Sequence, residues 1–229
     1  MGLADELSEQ VAEIFREKWD KRGGNVVPES ENLNLSNEAV ELDAVVLYAD
    51  INESTALVDK MKPHFSAEVY KSFLHCAAKI IRSEGGTITA YDGDRIMAVF
   101  IGEIKNTPAV RAALKINHAR VNIINPAIKR QYPDIPYELR HTVGIDASKI
   151  FVTRTGVRGA NDLVWVGRAA NHAAKLCSLS ADYPTRITSD VYEKLLNSAK
   201  ETNGQTMWEA RTWTDMGRDI YRSSWTWRI

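Results

Sequence analysis

The chain has 229 residues, 44% of them apolar and 26% charged, with a formal net charge of -1. That length and balance suit one large globular domain with extensions, and the near-neutral charge excludes the basic excess that follows a nucleic-acid backbone or an anionic membrane. No apolar run is long enough to span a bilayer, and the opening MGLADELSEQ is acidic where a signal peptide is basic and then apolar, so a cytoplasmic protein without membrane insertion is expected. Any strong affinity for phosphate then has to come from metal ions.

Residues 4–22 carry Leu7, Val11, Ile14, Phe15 and Trp19 on one helical stripe that ends at Gly23-Gly24. The Asn-, Ser- and Glu-rich stretch after it reads as a connector, giving an N-terminal unit over 1–41 and a main domain over 42–229. Ala44 to Asp50 is a buried-type strand, and a helix with Val69, Phe73, Ala77 and Ile80 on one face runs to Gly85-Gly86. Strands Thr87 to Tyr91 and Arg95 to Phe100 flank Asp92-Gly93, a strong hairpin signal that puts Asp94 at the tip.

Thr107-Pro108 starts a helix that Pro126 interrupts or kinks, and Leu139 to Ile145 and Ile150 to Thr155 form a second strand pair. Ser189 caps a last short helix, and alternating Tyr221, Ser223, Trp225 and Trp227 predict a closing strand. The whole is an α+β fold, an antiparallel-dominated sheet with helices on one face. Cys76 and Cys177 sit among alanines and aliphatics as buried free thiols do, and the five histidines lack the paired spacing of a metal site on one helix.

Two acids carry the chemistry. Val46, Tyr48 and Asp50 share a strand face, so Asp50 is an acid at the end of an apolar strand; it needs a cation, a salt bridge or exposure. A lone strand-end Asp is most simply a solvated one, and Asp94 has an ordinary role in turn chemistry. Together they make a poor structural pair unless a cation sits between them, and oxygen-only ligands suit Mg²⁺ or Mn²⁺. Two ions about 4 Å apart would let one activate a hydroxyl and the other hold leaving phosphates.

VVLYADINEST, GGTITAYDGDRIMAVF and LVWVGRAANHAAKL, in that order, resemble the three signature motifs of class III nucleotidyl cyclases. The resemblance implies the cyclase fold with its ferredoxin-like, palm-type core, Asp50 and Asp94 as metal ligands joined by the backbone carbonyl of Ile51, and two Mn²⁺ or Mg²⁺ ions per site. Asn171 and Lys175 lie four apart on one helix face, with Arg168 three before Asn171. From spacing alone that face is equally an ordinary solvated surface. In the related cyclases the Asn orients the ribose and the basic residue, typically an arginine, stabilises charge on the α-phosphate, both from the opposite subunit of a homodimer. Lys175 keeps that charge without the bidentate fork.

The purine-reading positions of the family fall at Ala90 and Val164, neither of which can hydrogen-bond a base edge. Tyr48 offers bulk and a hydroxyl beside the metals, its alternative being a half-buried core tyrosine. With Arg95 and Arg168 it makes up the expected substrate contacts. The stretch from LYADINESTALVDKM to GRAANHAAKLC closely resembles the Pycsar pyrimidine cyclases of bacterial anti-phage defence. That resemblance implies UTP, or CTP, as substrate and a downstream effector gated by the cyclic nucleotide. A purine cyclase of relaxed selectivity and an inactive nucleotide-binding sensor are the rival readings.

Overall fold

The computed structural model describes residues 2–229. Helix α1 (Leu3–Arg16) buries none of its residues, and Leu7, Val11, Ile14 and Phe15 face outward. It stops six residues short of the expected end because Asn37 donates its side-chain amide to the carbonyls of Ile14 and Glu17, at 2.7 and 2.9 Å. The chain then extends, Trp19 meets Phe151 edge-on at 4.9 Å, and β1 (Asp20–Gly23) runs parallel to the start of β2. Strand β2 (Glu38–Ile51) begins earlier than Ala44, so a division at 41/42 falls inside it.

Next come α2 (Ser54–Lys60), α3 (Pro63–Ser83) and the hairpin of β3 (Thr87–Asp92) and β4 (Arg95–Phe100). Helix α4 (Asn106–Ala119) takes in the expected cap Thr107, whose hydroxyl instead accepts the Leu196 amide at 3.0 Å. A π-turn over Arg120–Ile124 leads into α5 (Asn125–Gln131), a detour at the point where Pro126 lacks the amide a regular helix would use.

The two strands expected between Leu139 and Thr155 are one, β5 (His141–Val157). The polar run Asp146-Ala147-Ser148-Lys149, which reads as a turn, stays in the ladder opposite Val46 to Asp43. Strand β6 (Ala160–Val166) returns along the end of β5 and was not foreseen. Helix α6 (Arg168–Cys177), β7 (Thr185–Thr188) and α7 (Ser189–Glu193) follow, then the small hairpin β8 (Glu201–Thr202) and β9 (Gln205–Thr206), β10 (Glu209–Trp213) and β11 (Arg218–Ser223). The closing strand ends at Ser223; Trp225 and Trp227 leave it to pack on the core, where Asn117 donates to the carbonyls of Ser224 and Trp225.

The main sheet has the order β10-β11-β7-β5-β2-β4-β3, with β1 beside β2 and β6 beside β5; the β5–β7 and β1–β2 pairs are parallel. Alternation along β2 serves two cores. Val45, Leu47, Ala49 and Ile51 face α3 and α4, whereas Leu42, Ala44 and Val46 face α6. Helices therefore cover both faces rather than one, because the alanines 169, 170 and 173 let α6 lie flat on the second face. Gly144 makes this approach possible: a Cβ there would stand 2.1 Å from the carbonyl oxygen of Ala173.

Gly144→Ala should therefore destabilise the protein by about 1–3 kcal/mol, as overpacking does, where the substitution at an unhindered site stabilises. Thermal or urea unfolding reads the sign. A second expectation concerns acid. Burial, helped by the charge of Arg120, pushes the pKa of His141 from 6.5 down to about 3. The unfolded chain thus binds a proton there that the folded chain refuses, and stability drains as pH falls from about 6.5 toward 3, by up to about 1.4 kcal/mol per unit. His141→Phe should flatten that limb of the stability–pH curve; an unchanged slope contradicts it.

Candidate active site

The site forms where β2 ends against the β3–β4 hairpin. Gly93 turns the hairpin with φ +60°, and the pairing of Ala49 with Ile96 brings Asp50 level with Arg95 and the hairpin tip. Of the three outcomes open to Asp50, the structure takes the salt bridge: Arg95 donates Nε and Nη2 to Asp50 Oδ2 at 3.1 and 2.7 Å. Burial pushes the Asp50 carboxyl above the usual range, Arg95 pulls it back, and the charge and hydrogen bond of neighbouring Asp94 push it up again.

Asp94 Oδ2 is buried and has no hydrogen-bond partner. An orphaned carboxylate oxygen is costly, and one beside a second acid fits a cation. Among the described residues no three His, Cys, Asp or Glu side chains gather as a ready metal site. The side chains that could hold a cation here are two carboxylates, Asp94 at the hairpin tip and Asp50 at the close of β2, which ends at Ile51 opposite His141. Such a set suits Mg²⁺-like ions, which take one or two carboxylates and complete their shell with water and substrate phosphate. Two residues on, Glu53 caps α2 in the left-handed region at φ 60°, a strain of about 1 kcal/mol or more that sequence patterning does not announce.

Tyr48 stands on the same strand face, half-buried, with the Arg95 guanidinium carbon 5.9 Å from its ring centre. Cys177, at the end of α6, donates its thiol to the carbonyl of Thr142 at 3.1 Å and approaches that of Tyr48 at 3.5 Å. Burial pushes this thiol up to about 12. It ties α6 to the strands beneath the site, a role visible in the sequence only as a small apolar residue.

Asp50, Asp94, Arg95 and Tyr48 thus come together within one chain. Asn171 and Lys175 do not join them: both are exposed on the outer face of α6, and Lys175 Nζ lies 3.6 Å from Met216 Sδ. Arg168, expected beside them, turns instead to the sheet, where Asp146, the carbonyl of Ala147 and Asp190 take its guanidinium. Ala90 follows a β-bulge and packs on the α6-side core, and Val164 is exposed on β6.

No protein-family model matches the sequence. Among solved structures it is similar to the guanylyl cyclase Cya2, with TM-score 0.68 and 18% identity over 82% of this chain and 94% of that one. It is also similar to the adenylyl cyclase CyaB from P. aeruginosa, with TM-score 0.64 and 20% identity over 81% of this chain and 95% of that one. The fold is that of a class III nucleotidyl cyclase domain. Uridylate cyclases of Xanthomonas perforans and Burkholderia cepacia are 52% and 54% identical to it, each over 100% of both chains. Another, from Rhodovulum sp. (strain MB263), is 36% identical over 100% of this chain and 98% of its own. The chain belongs to the uridylate cyclase family.

The thiol geometry gives a direct check on the site's packing. At pH 8 a disulfide reagent such as DTNB should leave Cys177 untouched in the folded protein, reaching it only on denaturation. Fast modification of Cys177 in the native state would show that α6 does not seal against β2 and β5.

Proposed function

We propose that this protein is a uridylate cyclase, closing UTP to 3′,5′-cyclic UMP with release of pyrophosphate. The observation that carries the reading is the pairing of Asp50 with Asp94, whose Oδ2 is buried and unpartnered at the hairpin tip. Full-length identity with proteins named uridylate cyclase supports the choice of base. So does the absence of a polar group at Ala90 and Val164.

In this reading Asp50 and Asp94 hold Mn²⁺ or Mg²⁺, together with the backbone carbonyl of Ile51. Divalent ions bound there supply the charge that acidifies the ribose 3′-hydroxyl and holds the β- and γ-phosphates. Arg95, released from Asp50, meets the triphosphate, and Tyr48 meets the base edge. The 3′-oxygen bonds to the α-phosphorus as the bond to the β-phosphate oxygen breaks in line, and the hydroxyl proton passes to solvent.

Asn171 and Lys175 act from the partner subunit of a homodimer, the Asn on the ribose and the Lys on charge growing at the α-phosphate. Their outward orientation, away from their own chain's acids, supports a site shared between two chains. In the cell we place the protein in the cytoplasm of a bacterium, its product opening an effector in anti-phage defence. No helix of the described residues is long and apolar enough to cross a membrane.

Asp50→Asn and Asp94→Asn should each lower cyclic UMP formation by about a thousandfold or more, since each removes several kcal/mol of transition-state stabilisation. Both should also abolish the rise in melting temperature that Mn²⁺ gives the native protein. Robust turnover, or an intact Mn²⁺ shift in both variants, sinks the metal assignment.

A further inference from the structure

The acid least suited to its surroundings is Asp146, in the middle of β5 with 0% exposure. An unpaired carboxylate there is strongly unfavourable, and this one is fully engaged. Thr188 donates its hydroxyl to Oδ1 at 2.6 Å, Arg168 donates Nε to Oδ2 at 3.2 Å, and His172 Nδ1 lies 3.3 Å from Oδ2. Arg168 also reaches Asp190, which takes Arg218 as well at 3.3 Å.

Arg168 and His172 are four residues apart on α6, as Asn171 and Lys175 are, so the helix has two parallel pairs on different flanks. One pair is anchored by a single buried carboxylate at points one turn apart. The other faces out toward the proposed reaction. Leu176, buried against Trp213 and Ile220, and Cys177, bonded to the Thr142 carbonyl, key the C-terminal turn of the helix, whereas its first turns meet the strands and Gly144 only through the small side chains of Ala169, Ala170 and Ala173. Exchanging such a buried ionic network as a whole for apolar residues is often neutral or stabilising, so holding the layers together does not explain the charge, although removing Asp146 alone would strand Arg168. What the charge adds is direction.

We propose that Asp146 is a positioning residue for the cyclase reaction: through Arg168 and His172 it fixes the rotation of α6 and thereby the placement of Asn171 and Lys175. The inference rests on the roles given to those two residues above, and it moves Arg168 from substrate contact to the scaffold behind it.

The test is a double-mutant cycle in kcat on the purified full chain with UTP and Mn²⁺. Asp146→Asn keeps the size of the side chain and its bond from Thr188 but removes the charge. Alone it should lower kcat by up to about a hundredfold, the order a misplacement of about 1 Å costs, with KM for UTP little changed. Combined with Asn171→Ala it should lower kcat by less than the product of the two single losses, because the two changes share the Asn171 part of the link.

Arg168→Lys, which keeps the charge and loses the fork, should reproduce the kcat loss and the non-additivity, and decides the matter alone if Asp146→Asn does not fold. Losses that multiply independently, or wild-type kcat in Arg168→Lys, overturn the positioning role while the proposed function stands. Wild-type kcat in Asn171→Ala overturns the role given to Asn171 and with it the positioning role, whereas failure of the unmodified chain to turn over UTP overturns the proposed function itself, so the two failures are told apart.

Discussion

The antiparallel pairing of β2 with β5, unbroken from Ala39 and Thr153 to Ile51 and His141, fixes everything else in this protein. Because a one-residue slip would turn every side chain to the opposite face, the ladder locks which residues meet which core. Tyr48 falls opposite Gly144, Asp50 opposite Thr142, and Asp146 opposite Val46. The site is built at one end of this ladder, and the seat of α6 lies along its α6-facing side. Short strands β4, β6, β7 and β1 then pair with the outer edges of the two long ones.

The ladder and the hairpin beside it leave three acids, one of them treated quite differently from the other two. Asp146 has three partners, Thr188 on β7 and Arg168 and His172 on α6, and it needs nothing more. Asp50 alone meets Arg95, and neighbouring Asp94 keeps an oxygen buried without a partner. A satisfied buried acid is a structural fastening; an unsatisfied pair is a site awaiting charge. The contrast is sharper than burial alone conveys, since Asp146 is the more buried of the three.

Much of this is legible in the sequence because apolar periodicity reports burial directly. The apolar strand ending at Asp50, the face of α3 and the Asp92-Gly93 hairpin follow from it, and the three motifs supply their order. What fails does so where long-range partners override local chemistry. Asp146 to Lys149 looks like a turn, yet the strand continues because Thr188, Arg168 and His172 lie too far along the chain for a local pattern to register them. The end of α1 depends on Asn37, more than twenty residues from Arg16's own turn, and the packing of α6 on both strands depends on the missing Cβ of Gly144. Residues expected around the substrate were likewise grouped by helical spacing, which cannot tell the flank of α6 that faces the sheet from the one that faces out.

The central claim is the base. Purified protein should be offered ATP, GTP, CTP and UTP together with Mn²⁺, and the products separated and identified by mass. Cyclic UMP and pyrophosphate as the dominant products are the expected result. Preferential consumption of ATP or GTP, or cyclic CMP in place of cyclic UMP, would contradict it.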